Sequence, residues 1–334
     1  MATGWSRVQA ALRLGVGDRP PVSAWGHSYD KEWAVDSLAA TTVLSARRYG
    51  FDFVKLQVRS TCFAEAFGGR WRYSGAPDAE PVLEHPGGAT AEDWQRIAGG
   101  EYDVAPLRDQ VEVMRLVAHE LGADTPVLQT VFSPGMVAWF LTGRDLELLQ
   151  RLVAEEPDLM ERGLARIAEV LARFTRDSLG AGAAGVFYAI NPLADSRLVS
   201  AADYERIYLP SDRAAVAAAD AAWFNMLHLC GAHINTDLVE RVPMQSVNWS
   251  VHDEGNPGLS ELRDRYRVAV AGGLHRQSPI DSPSRDEMRA AATAAVAETG
   301  GRGHLLTPGC SVSPWPQAKA ENLEAMIAAA GLPG

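Results

Sequence analysis

Short apolar runs recur along this chain, each followed by a longer stretch of helical period, and that alternation restricts it to a parallel sheet covered by helices on both faces. Eight runs read as strands: PVSAWGH ending at His27, FDFVKLQV from Phe51, PVLQTVF from Pro126, AGVFYAI from Ala184, WFNMLHL from Trp223, MQSVNWS from Met244, RVAVAGG from Arg267 and HLLTPG from His304. Their continuous apolar character suits strands buried on both sides. Eight βα units in 334 residues predict a single (β/α)8 TIM barrel occupying residues 1–334. The clearest helix runs from Pro157 to Leu179, with Met160, Leu164, Ile167, Leu171 and Phe174 on one stripe. Pro157 suits its first turn, and Gly180 and Gly182 supply the stop. From Gly68 to Pro106 the chain is rich in Gly, Pro and charge without a strong period. A long excursion after the second strand is expected there, forming a partial lid over the barrel mouth.

Charge narrows the partners. With 31 basic and 42 acidic residues the formal charge is −11, and such a surface repels phosphate backbones and anionic lipid. Neither nucleic acid nor membrane is an expected partner. The opening MATGWSRVQAALRLGVGDRPP is interrupted by Arg7 and Arg13, so it lacks the apolar segment of a signal peptide. No apolar run approaches the roughly 18 residues of a membrane span. A cytoplasmic monomer or homodimer is the expectation. Three cysteines, Cys62, Cys230 and Cys310, are too few and too dispersed for a disulfide framework. Gly15-Val16-Gly17 lacks a third spaced glycine and leads into Pro20-Pro21, so it is no dinucleotide fingerprint.

In a barrel of this kind chemistry collects at the carboxyl-terminal ends of the strands. His27, Arg59, Asn191, His228, Cys230, Asn248, Trp249, His252, Asp253, His275 and Cys310 all fall at or just beyond such ends. Among them, His228 and Cys230 in LHLCG and Cys310 in TPGCS stand out, because an imidazole and two thiolates suit zinc and leave a fourth position open. His-x-Cys alone is weak, since core histidines and cysteines are common neighbours. Cys310 strengthens it: Pro308 and Gly309 bring the backbone close and turn it sharply just before the thiol. Zinc with two thiolates and a neutral imidazole carries no net charge, so a bound external thiol can lose its proton while its sulfur stays electron-rich. The fourth ligand is water or one of Asp253, His275 and His252. Around this centre His27 is a candidate catalytic residue, and Arg59 a candidate clamp for an anionic group on the acceptor. Phe140, Asn191, Asn248, Trp249 and His275 are candidate substrate contacts, although Asn more often caps a turn and the aromatics also suit a pocket wall or core. Cys62 reads as a small buried hydrophobe.

Several motifs occur in the order seen in one known superfamily: RRYGFDFVKLQ near the second strand, TVFSPGMVAWFLTG after the third, HLCG at the fifth, VNW at the sixth, VAGGL at the seventh, and LLTPGCSV then ENLEAMIAAAG at the eighth. Across nearly its whole length the chain resembles the uroporphyrinogen decarboxylase superfamily. That superfamily holds porphyrinogen decarboxylases and also zinc-dependent thiol methyltransferases, which move a methyl group from a corrinoid to a thiol. The decarboxylase pattern departs at its diagnostic places. Its amino-terminal arginine segment corresponds to AWGHSYD around His27, its central aspartate to Arg59, its tyrosine to Phe140 and its late histidine to Cys310. His228, Cys230 and Cys310 instead match the methyltransferase zinc motif. The resemblance therefore implies a zinc-dependent enzyme that methylates a small thiol. With no D-x-H-x-x-G corrinoid signature in the chain, a corrinoid donor would arrive free or on a separate protein. The alternatives are a carboxy-lyase acting on a non-porphyrin acid, and a ligand-binding barrel with a structural zinc.

Overall fold

In a computed structural model that describes residues 2–331, nine strands alternate with helices. They are β1 (Val54–Lys55), β2 (Arg70–Arg72), β3 (Val82–His85), β4 (Val127–Phe132), β5 (Gly185–Ile190), β6 (Met226–Leu229), β7 (Ser246–Asn248), β8 (Ala269–Leu274) and β9 (His304–Pro308). Seven of them pair in parallel in the order β1-β4-β5-β6-β7-β8-β9, a curled sheet with every strand beside its successor among the seven. The interior positions of these strands are buried throughout, as the unbroken apolar runs require. Helix Pro157–Gly180 covers the outside with a buried stripe that includes Leu164, Ile167, Leu171 and Phe174. Gly182, with φ at 107°, turns the chain away from it.

The first expected strand is the departure. Residues 21–27 form no regular strand, although they stand between β9 and the start of β1. On one side the Leu306 amide donates to the Pro21 carbonyl at 2.9 Å, and Val22 bridges Leu306. On the other, the Asp52 amide donates to the Val22 carbonyl at 2.9 Å. Side chains then replace the ladder: the Val22 amide donates to Asp52 Oδ2 at 2.8 Å and Ser23 Oγ to the Phe53 carbonyl at 2.7 Å. Pro20 and Pro21 have no N–H to give, so regular pairing cannot start here. The same substitution of side chains for backbone explains why β1 is only two residues long. The eighth stave is thus irregular, and the sheet has seven regular strands rather than the eight expected.

The excursion after β1 is more ordered than its sequence suggests. Strands β2 and β3 pair antiparallel, and helix Ala91–Gly99 begins at a capping box made by Thr90 and Asp93. Trp94 anchors it: the indole is fully buried, donates to the Gly88 carbonyl at 3.0 Å and lies against Gly163, where any Cβ would meet the ring at 2.5 Å. Of residues 68–106, Glu80 alone lines the cavity at the barrel mouth. Among the described residues no helix is long and apolar enough to cross a membrane.

Candidate metal centre and its cavity

Parallel strands in register present their side chains to the same side, and this places the centre. Ala189, His228, Asn248 and Ala271 are successive register partners on β5, β6, β7 and β8. His228 is buried, and Cys230 follows two residues later, on the same side by the strand's period of two. Cys310 follows the end of β9. Gly231, with φ at 129°, turns the chain immediately after Cys230. At Gly309 a Cβ would lie 2.5 Å from the Ser250 Cα, so only glycine lets the β9 end pack this closely on the β7 loop.

The result is a cluster of three ligand atoms, all within 4.8 Å of one another. The two sulfurs are 3.9 Å apart, and Cys310 Sγ is 3.6 Å from His228 Nε2. Ordinary zinc bond lengths at tetrahedral angles require about 3.8 Å between sulfurs and about 3.6 Å between sulfur and nitrogen. The donor set therefore fits a tetrahedral soft cation with one position left for an external ligand. The Cys310 thiol is held well below the usual thiol range chiefly by the hydrogen bond from Cys230, whereas that bond and burial push Cys230 well above it. A proton shared unequally between two sulfurs is what a soft cation displaces on binding.

Asn248 fixes the imidazole. Its Nδ2 donates to the Ala271 carbonyl at 3.0 Å, and lies 3.3 Å from Thr307 Oγ1 and from the Pro308 carbonyl. Its Oδ1 must then accept, and it sits 2.7 Å from His228 Nδ1. His228 accordingly carries its proton on Nδ1 and turns a bare Nε2 toward the thiols, which is the arrangement a metal-ligating histidine needs. Phe187 stacks on the same ring at 5.0 Å.

The centre opens into a cavity of about 280 Å³. Alternation along the strands sets its wall: Lys55 and Gln57 from β1 and the residues after it, Thr130 and Phe132 from β4, Phe187 and Ala189 from β5. Lys55 is 5 % exposed, donates to Gln57 Oε1 at 2.6 Å and lies 4.9 Å above the Phe187 ring; burial brings its pKa down to about 7. Tyr29 is pushed up to about 12 by burial. At the mouth Arg144 pairs with Glu80 at 2.6 Å and covers Phe140.

Of the residues singled out in the sequence, His27, Phe140, Asn191, His228 and Cys310 line this cavity, with Cys230 beside them in the cluster. Asn248 is fully buried behind His228 and offers a substrate nothing. Arg59 turns away: its guanidinium pairs with Glu65 at 2.6 Å and stacks on Trp33, outside the cavity lining. Trp249 is fully buried, its indole donating to the Pro257 carbonyl at 3.0 Å, and His275 is exposed beside His252. Neither lines the cavity. Cys62 is buried, as expected of a small hydrophobe. Lys55, Gln57, Arg144 and Arg276 were not singled out. The first two had a signal, because FDFVKLQV places two polar residues one period apart in an otherwise apolar run.

A curled parallel sheet with a His/Cys/Cys cluster at its carboxyl-terminal ends defines a barrel-mouth class of protein with a candidate metal site. Residues 33–331 match the family described as Uroporphyrinogen decarboxylase (URO-D), and the chain belongs to that family. A protein of Trichodesmium erythraeum (strain IMS101) named uroporphyrinogen decarboxylase is 23% identical over 212 residues, a match that spans 60% of this chain and 57% of that relative's length. Among solved structures, a methyltransferase from Methanosarcina mazei superposes with a TM-score of 0.78 at 20% identity, covering 98% of both chains. A B12-independent methionine synthase from Shewanella sp. W3-18-1 superposes with a TM-score of 0.54 at 12% identity, covering 92% of this chain and 96% of that one. At these identities the superpositions establish the fold.

Proposed function

We propose that this chain is a zinc-dependent methyltransferase whose acceptor is a small thiol. The observation that carries the reading is the cluster of His228, Cys230 and Cys310, with spacings close to those of tetrahedral zinc, Asn248 backing the imidazole, and a cavity in front. A structural site is closed by four protein ligands, whereas three ligands facing a cavity suit chemistry. When bound, zinc would lower the proton affinity of an acceptor thiol while leaving its sulfur nucleophilic. His228, Cys230 and Cys310 would hold it, and Asn248 would keep His228 Nε2 free of its proton. Phe132, Phe140 and Phe187 exclude water from the wall, and Lys55, Gln57 and Asn191 offer polar contacts to the acceptor. The donor we infer is a methylcorrinoid, free or carried by a separate protein that docks at the mouth.

The test has two parts. Wild-type protein purified in metal-replete medium is expected to hold one zinc per chain, and Cys310→Ser to lose it. Wild-type protein without zinc, or Cys310→Ser with zinc still tightly bound, would overturn the ligand set. Zinc-loaded protein is then incubated with methylcobalamin and a panel of thiols while the corrin spectrum is followed. Demethylation that depends on both thiol and Cys230 supports the reading. Carbon dioxide release from a carboxylic acid, unaffected by Cys230→Ala, would favour a lyase instead.

A further inference from the structure

A thiol that becomes a thiolate in this cavity must hand its proton to a base, and the wall offers few. Glu80 is the carboxylate that lines it, and Arg144 holds that group at the mouth. Tyr29 and the serines are neutral hydroxyls at any ordinary pH. His27 is different because the side chains around it leave a single arrangement of protons. At one end Gln57 Oε1, which can only accept, takes a hydrogen bond from Lys55 at 2.6 Å, and Ser311 Oγ lies 3.3 Å from the same oxygen. Gln57 Nε2 must therefore donate, and it sits 2.7 Å from His27 Nε2 and 3.3 Å from Nδ1. Nδ1 is 2.8 Å from Glu32 Oε1, an oxygen that already accepts from the Ser28 amide, so the ring proton is on Nδ1 and Nε2 is the nitrogen left to accept from Gln57. Tyr29 stacks on the ring at 5.0 Å with the planes 6° apart and holds its orientation.

Glu32 completes the case. Its side chain is 1 % exposed, and Oε1 accepts only from His27 and from the Ser28 amide at 3.1 Å. Oε2 is buried with no hydrogen-bond partner among the described residues. A buried carboxylate so poorly compensated is costly unless a positive charge arrives beside it. Protonation of His27 supplies that charge.

Building on the thiol-transfer reading, we propose that His27, backed by Glu32, takes the proton that the acceptor thiol gives up in this cavity, with Gln57 as the positioning residue that keeps His27 Nε2 unprotonated beforehand. The S–H bond breaks with its electron pair left on sulfur, and a new N–H bond forms at His27 Nε2. Glu32 balances the imidazolium, and Gln57 turns its amide so that Oε1 accepts the new N–H. The charged and titratable groups around the ring are Glu32 and Tyr29 from its own loop, Lys55 from β1, and Glu80, Arg144, His228, Arg276 and Cys310 around the cavity. Lys55 loses its Gln57 acceptor in that turn, so it is the one rival for the proton.

Calorimetric titration of the zinc-loaded protein with 2-mercaptoethanol at pH 7, in two buffers of different ionisation enthalpy, counts the protons released per thiol bound. Wild type is expected to release about none, because the proton stays on His27, whereas His27→Gln is expected to release about one. Glu32→Gln, which keeps the ring in place and removes the balancing charge, is expected to release most of it. Zinc content confirms that the centre is intact in each variant. Release of a full proton by wild type, or retention by both His27→Gln and Glu32→Gln, would overturn the assignment, and so would a proton freed by Lys55→Met alone. Should His27→Gln fail to fold, the wild-type and Glu32→Gln counts decide. Zinc-loaded wild type that binds no thiol would sink the thiol reading itself, and this inference with it.

Discussion

Asn248 decides which nitrogen of His228 faces the thiols, and it does so without touching the cavity. Three carbonyl or hydroxyl oxygens claim its amide hydrogens, so its own oxygen is left for His228 Nδ1. Asn248→Ala is expected to weaken zinc binding by about 10- to 100-fold, the usual cost of losing such a partner, while leaving the three ligands in place. Competition against a chromophoric chelator measures it, and unchanged affinity would show that Asn248 is mere packing. Nothing in VNW distinguishes an asparagine that supports a ligand from one that caps a turn, because the distinction lies in what sits on the next strand. Arg59 failed for a related reason. Its partner Glu65 is six residues away in the loop that follows β1, and no periodicity announces that a short helical turn at Cys62–Glu65 brings the two together.

At the scale of elements, the end of β9 carries the centre. Cys310 reaches the cluster because Gly309 passes within contact of Ser250 on the β7 loop, where a methyl group has no room against backbone atoms. Gly309→Ala must push the two loops apart, at a cost of about 1–3 kcal/mol, and is expected to lower the thermal midpoint and the zinc content together. A fall in midpoint with full zinc retention would mean that the β9 end can shift without carrying Cys310 with it. Strand positions are legible because burial on both faces writes itself into composition. The irregular first stave is less so: PVSAWGH has the apolar character of a strand, but Pro20 just before it, its own Pro21, and the Asp52 and Ser23 side chains hand part of its pairing to side-chain bonds. Helix Ala91–Gly99 was obscured by its polar neighbours. Its buried face consists chiefly of Trp94 and Ile97, too few residues to register as a period.

For the whole molecule, two buried groups outside the metal cluster set opposite pH dependences. Asp212 accepts hydrogen bonds from Tyr188 at 2.7 Å and Tyr204 at 2.5 Å, and burial raises its pKa from 3.8 to about 7. A raised acid contributes stability that is complete below its unfolded pKa and is lost as pH climbs to the folded value, so Asp212 destabilises progressively from pH 4 to 7. His304 is depressed by burial from 6.5 to about 4, and its contribution runs the other way, lost as pH falls across nearly the same window. At about 1.4 kcal/mol per unit for each group, the two slopes largely offset. Asp212→Asn should remove one of them, so that stability rises clearly with pH between 4.5 and 6.5 while wild type stays nearly flat. Urea midpoints across that range test this, and parallel curves for the two proteins would show that Asp212 does not titrate there.

The linear order of residues is enough to specify the βα alternation, the strands buried on both faces, and the placing of soft ligands at the ends of two of them. These are local properties, written by backbone period and by which residues avoid water. Cys230 and Cys310 meeting at 3.9 Å, Asn248 standing behind His228, and Lys55, Gln57, His27 and Glu32 joining in one hydrogen-bonded line all depend on register, curl and closure of the sheet. Those are long-range outcomes, in which residues far apart in the chain become neighbours only when every intervening strand has taken its place.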